Sequence, residues 1–109
     1  MKNVKSVCYT FTSQELNKIK NIEEYNENTI IKNIFIVNNG DDTSEQGIIS
    51  IIDKKSGISY DLTSTPNYIK PNERMVVCKK ALPLQKDEII GIKASSSNIE
   101  ISIMTIEED

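Results

Sequence analysis

The amino-acid sequence predicts an all-β fold, an antiparallel β-sandwich of about eight strands with Greek-key or jelly-roll-like connections. Short runs of β-branched residues recur at a spacing of roughly 8 to 12 residues, and clusters of Asn, Asp, Ser, Gly and Pro separate them. Several runs alternate apolar and polar residues with the period of a half-buried strand. The 109 residues suit one domain, residues 1–109, because compact domains cluster at roughly 100 to 150 residues.

The segments with the composition of strands follow one another along the whole chain. They are residues 4–12, 29–37, 48–52, 58–62, 74–79, 81–84, 88–94 and 99–106. In the first segment, Val7 and Tyr9 share one face. In the last, Ile99, Ile101 and Ile103 alternate with other residues and are expected to face the core.

The connection after the first strand carries signals for a short helix near residues 13–24. Thr12 and Glu15 have the spacing of a capping box, in which each side chain bonds a free amide of the first helical turn. Three apolar residues follow at helical spacing: Leu16, Ile19 and Ile22. We expect this segment to form a short amphipathic helix or a folded-over loop.

Residues 29–37 form the most apolar predicted strand. Both alternate sets of its residues are apolar: Ile30, Ile34 and Ile36 on one face, and Ile31, Phe35 and Val37 on the other. Each face is therefore expected to meet an apolar surface, so the strand is either central in the sandwich or at a subunit contact. Ile30, Ile34 and Ile36 are the candidate partner-contact residues of this strand.

Tyr60 and Tyr68 are the other candidate contact residues, because they lie near predicted loops where an aromatic side chain can stack on a ligand. Tyr60 is also a candidate core residue of its strand, together with Leu62. With the loop at residues 38–46, the two tyrosines motivate an alternative function, a sugar- or peptide-binding β-sandwich. Packed or half-exposed tyrosines are the more common outcome.

The polar turn at residues 38–46 holds the densest carboxylate cluster of the chain. Asp41, Asp42 and Glu45 lie close in sequence, and Asn38 could add an oxygen ligand for calcium. The spacing differs from that of a calcium-binding loop, and a turn between strands explains the composition without an ion. We therefore predict a turn and no metal site.

The sequence has no histidine and only two cysteines, Cys8 and Cys78. Two cysteines do not complete a tetrahedral zinc site, and without histidine the usual nucleophile and base pairs are missing. The four glycines are isolated, so the pattern of a phosphate-binding loop is absent. We expect no catalytic residue and no cofactor. The cysteines are expected to be small buried hydrophobes, with a disulfide between their strands as the alternative.

The net charge of -3 and a pI near 5.0 predict no nucleic-acid partner. Phosphate binding needs Lys and Arg gathered on one face, whereas the basic residues here are scattered along the sequence. No window approaches the ~20 apolar residues of a membrane span, and residues 1–6 lack the apolar core of a signal peptide. We therefore expect synthesis in a cytosol and no membrane partner.

Several segments together resemble a family of small proteins of tailed-bacteriophage particles. The segments are residues 31–39, 60–62, 69–77, 84–95 and 99–107. In that family a strand ending in an Asn-rich turn precedes a polar hairpin, and an Ile-x-Pro-x-Glu bend leads into a hydrophobic strand. A Gly-Asp-x-Ile-x-Val-x-Ala-Ser segment then precedes the last strand. Here Ile69, Pro71 and Glu73 supply the bend.

The resemblance implies a non-catalytic structural component of the virion. It implies a capsid-surface accessory (decoration) protein first, with a neck or tail protein as the alternative. The partners would be other virion proteins, either the major capsid protein or neck and tail proteins, and further copies of the chain, as a homo-oligomer or as repeated copies on a shell. The same resemblance implies synthesis in the bacterial cytoplasm and localisation in the virion.

Overall fold

The computed structural model describes residues 2–63, 68–78 and 80–108, without the side chains of Lys2, Cys78 and Glu108. Over these residues ten strands form two antiparallel sheets that pack against each other, so the predicted β-sandwich is confirmed. The strands are β1 (Lys2–Tyr9), β2 (Lys20–Ile22), β3 (Thr29–Asn38), β4 (Glu45–Asp53), β5 (Ser59–Asp61), β6 (Tyr68–Ile69), β7 (Arg74–Cys78), β8 (Leu82–Pro83), β9 (Glu88–Ala94) and β10 (Ile99–Glu108).

The strand order is that of a jelly roll. Sheet A has the order β1-β10-β3-β7, and β8 pairs with the beginning of β3. Sheet B has the order β2-β9-β4-β5, and β6 pairs with the beginning of β4. Because β7 and β8 lie along one side of β3, and β5 and β6 along one side of β4, the strands fill the positions of the eight-stranded jelly roll.

Isoleucine fills most of the space between the sheets, because its branched side chain suits both an extended backbone and a dry interior. On sheet A, Ile99, Ile101 and Ile103 of β10 are fully buried, as their alternation predicts. On sheet B, Ile90 and Ile92 of β9 belong to the same cluster. Burying each such side chain stabilises the fold by about 1.5–3 kcal/mol.

An extra residue interrupts the pairing of β3 with β10. Asn33 pairs with Met104, but the next pair joins Ile31 to Thr105, so Lys32 is left without an opposite residue. This is a β-bulge, and it reverses the alternation of side chains along the bulged strand. Thus β3 presents one set of residues to the core before Lys32 and the other set after it.

The predicted division of this strand into two faces was therefore wrong. Ile31, Ile34 and Ile36 are fully buried together in the core. Ile30 and Phe35 are only half-buried and lie on the opposite side of the sheet. The alternation rule assumes an unbroken register, and the bulge breaks it.

The helix predicted near residues 13–24 is limited to one 3-10 turn, Ser13–Glu15. The Glu15 carboxylate accepts the backbone N–H of Thr12 at 2.9 Å, as in a capping box. Asn17 then adopts a left-handed φ of 60°, and its N–H donates to the carbonyl of Ala94 at 2.8 Å. The chain instead folds back along β9 as β2, which buries Ile22 between the sheets.

The tight hairpin predicted around Gly57 is present. The Gly57 N–H donates to the carbonyl of Asp53 at 2.8 Å, and φ at Gly57 is 76°, a value that glycine adopts without a steric cost. The following β5 is an exposed edge strand on which Tyr60 stays 50% exposed. Tyr60 is thus not a core residue, whereas Leu62 packs against the core.

Cys8 is exposed on β1 as a free thiol, so the expectation of a buried residue was wrong for this cysteine. The side chain of Cys78 lies outside the described part of the structure. Its backbone pairs with Ile34, which pairs with Ile103, which pairs with Val7 beside Cys8. Three strand spacings, roughly 14 Å, separate the cysteines. A disulfide needs Cα atoms within about 7 Å, so this pair forms none within one chain.

Thr105 and Thr29 are both fully buried, but their hydroxyl groups differ. Thr29 accepts the N–H of Asn26 at 3.2 Å, whereas the Thr105 hydroxyl has no hydrogen-bond partner among the described residues. We expect Thr105→Val to raise the free energy of unfolding by about 1 kcal/mol and Thr29→Val to lower it by about as much. Valine keeps the shape and the β-branching, so urea unfolding compares the hydroxyls alone. A destabilised Thr105→Val variant would contradict this assignment.

Candidate interaction surface

Sheet A carries apolar side chains on its outer face as well as in the core. The strand registers place these residues opposite the buried ones, so their side chains point away from the core. The polar residues Ser6, Asn33 and Ser102 also lie at outward positions. We call the following apolar residues the outer face of sheet A: Val4, Cys8, Ile30, Phe35, Val37, Val76, Met104 and Ile106. All are half-buried or exposed. In antiparallel sandwiches the outward positions are usually polar, so this face differs from the usual pattern.

The outer face of sheet A is a band of neighbouring side chains. Near its centre Phe35 pairs with Val76 of β7, which is 38% exposed. Towards the other end Ile30 pairs with Ile106 of β10, and Ile106 pairs with Val4 of β1, which is 68% exposed. An exposed apolar area of this kind marks a protein contact more often than scattered single side chains do.

Two opposite charges flank one end of this face. Val37 pairs with Glu100 of β10 on one side and with Arg74 of β7 on the other, so the three residues form a row across the sheet. The Arg74 guanidinium group lies 5.3 Å from the centre of the Phe35 ring, a cation–π distance. The Glu100 carboxylate accepts a hydrogen bond from the side-chain amide of Asn39. This end is therefore apolar in the middle, with one charge of each sign beside it.

Among the isoleucines predicted to contact a partner, Ile30 lies on the outer face and the other two do not. Ile34 and Ile36 have no exposed surface, because both lie between the two sheets. A partner could touch them only if the sandwich opened. Sequence reasoning did not include Met104 and Ile106 among the candidate contact residues. The available signal was that both fall at outward positions of β10, next to the two-sided apolar strand β3.

Tyr60 and Tyr68 lie along the edge of sheet B. Tyr60 pairs with Ile51 and Tyr68 with Gln46 on β4, so the two tyrosines are roughly 17 Å apart along the strand direction. They are 50% and 62% exposed. Ile51 faces the core, whereas Gln46 faces outward. Paired residues point to the same side of a sheet, so Tyr60 and Tyr68 point to different sides. Together they do not form one aromatic platform, which a sugar site built on both would need.

The loop after β3 is organised by Asn38, which is fully buried. Its side-chain nitrogen donates to the carbonyls of Thr43 and Ile69, each at 2.9 Å. Its side-chain oxygen accepts the N–H of Gly40 at 2.9 Å. The Asn38 side chain is thus committed to the loop itself. In the described parts of the chain, no three His, Cys, Asp or Glu side chains are grouped to hold a metal ion.

Tyr9, Glu24 and Tyr25 form a hydrogen-bonded cluster that fixes the segment after β2 against β1. The Tyr9 hydroxyl donates to the Glu24 carboxylate at 2.5 Å and lies 2.9 Å from the Tyr25 hydroxyl. The hydrogen bond from Tyr9, together with one from Lys5, lowers the pKa of Glu24. Burial, together with the hydrogen bond to Glu24, raises the pKa of Tyr9. Near neutral pH Glu24 therefore stays ionised and Tyr9 stays protonated, and the cluster holds the two segments together.

A small depression lies on the outer side of sheet B. Gly91 contributes to it, and Ile19, Ser50, Asp61 and Lys93 line it. The Ser50 hydroxyl donates to the Asp61 carboxylate at 2.6 Å, so these two polar groups already satisfy each other. No aromatic side chain of the described residues lines the depression. Its chemistry therefore gives less support to a sugar site than a stacked aromatic would.

Comparisons of the chain with protein-family models, with curated proteins and with solved structures found no match. The resemblance to phage particle proteins therefore stays a prediction, and the surface is assigned from the geometry of this chain. In the part of the chain that the structure describes, no helix has the length and apolar character to cross a membrane.

The buried amide of Asn38 gives a direct test of how the loop is held. We expect Asn38→Ala to lower the free energy of unfolding by about 2–4 kcal/mol, because it leaves two carbonyl groups and one N–H without their partner. The neighbouring Asn39→Ala, at an exposed residue, should cost less than about 1 kcal/mol. Urea unfolding followed by circular dichroism measures both. Equal losses for the two variants would show that the Asn38 side chain does not organise the loop.

Proposed function

We propose that this chain is a non-catalytic structural protein of a tailed-bacteriophage particle that decorates the capsid surface in repeated copies. It would be made in the bacterial cytoplasm and carried in the virion. A neck or tail position is the alternative within the same class. The observation that supports the proposal is the apolar outer face of sheet A, and the resemblance of the sequence segments names the kind of particle.

The residues of the outer face of sheet A do not belong to the core of the sandwich. The fully buried isoleucines all come from the inner sides of the two sheets, and they form one connected cluster. An additional apolar face lowers solubility unless another protein covers it. A domain with a complete core and such a face therefore suits a component whose role is to be contacted by neighbours.

Copies held on a shell have a high effective concentration, so contacts that are weak in solution become occupied on the particle. The exposed edge of sheet B provides a second area for such contacts. Tyr60 and Tyr68 lie there, and Ile58 beside them is 71% exposed. We assign this edge to the contact with the shell. The alternative of a sugar- or peptide-binding module has less support, because the two tyrosines point to different sides of the sheet.

Particles purified from the phage that encodes this chain are expected to contain it in many copies. Mass spectrometry with labelled reference peptides gives the ratio of the chain to the major capsid protein. Cryo-electron microscopy then separates a head position from a neck or tail position, because a decoration protein follows the symmetry of the shell. Absence of the chain from particles that contain a complete capsid would refute the proposal.

The double variant Tyr60→Ala/Tyr68→Ala is expected to reduce the number of copies per particle by about tenfold, since tyrosine is enriched among the interface residues whose truncation costs more than about 1 kcal/mol. Both side chains are largely exposed, so the free energy of unfolding should change little. The matched control is Lys70→Ala, another exposed residue next to β6. Unchanged incorporation of the double variant would show that the shell contacts a different surface.

A further inference from the structure

We infer that the outer face of sheet A binds a second copy of this chain, face to face, about a two-fold axis that runs along β3. The inference deepens the proposed function, because it names the partner of a surface already assigned to protein contact. It concerns the free protein in solution and can be tested without a phage particle. Failure of the dimer test in solution is therefore distinguishable from failure of the particle test of the proposed function.

The charges at one end of the face select this axis. Glu100 and Arg74 lie on the strands to the left and right of Val37, at the same level along β3. A two-fold axis along β3 exchanges left and right. Glu100 of one copy therefore faces Arg74 of the second copy, and Arg74 of the first copy faces Glu100 of the second. An isologous contact of this kind contains the ion pair twice. Opposite charges meet at both places, and like charges at neither.

The other possible orientations do not match the charges. A two-fold axis across the strands would place the row of Glu100 and Arg74 against the opposite end of the face, where Ile30 and Ile106 lie. Both charges would then lose water without gaining a partner, which is costly. The axis along β3 instead sets Val37 against Val37 and Phe35 against Phe35 of the second copy, so these apolar side chains meet each other, and the polar Asn33 meets Asn33.

The overlap of β10, β3 and β7 determines how strong the contact is. Three strands span roughly 14 Å, and the outward residues of β3 extend over roughly 25 Å, which gives about 350 Å² per copy. This footprint is below that of a standard stable interface, so the dimer is weak and depends on concentration. Exposed Lys32 lies five residues from Val37 on β3, roughly 16 Å away. The axis along β3 brings Lys32 of one copy towards Lys32 of the second. Because face-packed sheets cross at about 30°, the two β3 strands move apart with distance from a contact centred near Phe35, and this separates the two lysines.

Sedimentation of the purified chain from about 10 µM to 1 mM tests the dimer directly. The expected result is a monomer at the low end and a growing dimer fraction towards the high end. A chain that stays monomeric throughout this range overturns the inference. A reversible assembly larger than a dimer also overturns it, because a two-fold contact is closed and each copy can make it only once.

Two single variants and their mixture test the axis. Arg74→Glu places acidic side chains at both positions, and Glu100→Arg places basic side chains at both. Each variant alone is expected to raise the dimer dissociation constant about tenfold or more, because like charges then face each other twice. An equimolar mixture should restore dimers, because each contact between the two variants joins an acidic to a basic side chain. An ion pair within one chain could not be restored by mixing.

Lys93→Glu is the matched control, since it makes the same change in net charge as Arg74→Glu on the outer side of sheet B. Its dissociation constant should equal that of the unmodified chain. Circular dichroism and thermal unfolding of all variants confirm that each is folded before sedimentation. Single variants that dimerise like the unmodified chain, or a mixture that stays monomeric, would overturn the proposed axis.

Discussion

One unpaired residue, Lys32, determines both the core of this protein and the apolar outer face of sheet A. The side chains of a strand alternate with a period of two, so one extra residue exchanges the faces beyond it. In β3 this exchange brings Ile31, Ile34 and Ile36 to the same side, where they complete the core with the regularly alternating isoleucines of β10. It also brings Ile30 and Phe35 together on the outside. Because most residues on both sides of the bulge are apolar, each face keeps apolar side chains, with Asn33 as a polar residue on the outer one.

This constraint also explains which parts of the fold are visible in the sequence. β9 has the bounds that its composition predicts, and the core residues of β10 follow from simple alternation. A bulge leaves no comparable pattern, because the register of a strand depends on its neighbour rather than on local preferences. The short strands β2 and β6 were missed for the same reason: each exists through its pairing with β9 or β4. Likewise, the asparagine at position 38 predicts a turn. The burial of its side chain, however, depends on the hydrogen bond to the carbonyl of Ile69, which is distant in sequence.

The apolar outer face of sheet A was partly predictable. Apolar residues on both sides of residues 29–37 indicated a second dry face, and the structure has this face on the outside of sheet A. Its individual members were not predictable without the sheet order, because Val76 and Met104 join Ile30 and Phe35 only through strands distant in sequence. The sequence could show that a second face exists. Only the three-dimensional register shows which side chains compose it.

Apolar area alone does not determine what covers such a face. Any apolar surface of similar shape would gain from the contact, and hydrophobic attraction has little directional preference. The charges of Arg74 and Glu100 add the missing direction, because they lie on opposite sides of an apolar row. A partner must present the reverse arrangement, and a second copy turned about β3 does so without any further adaptation. Electrostatic complementarity of this kind contributes more to the choice of partner and orientation than to affinity. For the proposed role as a component of a particle, a weak but oriented contact would suffice, since the particle would supply the concentration and the charges the orientation.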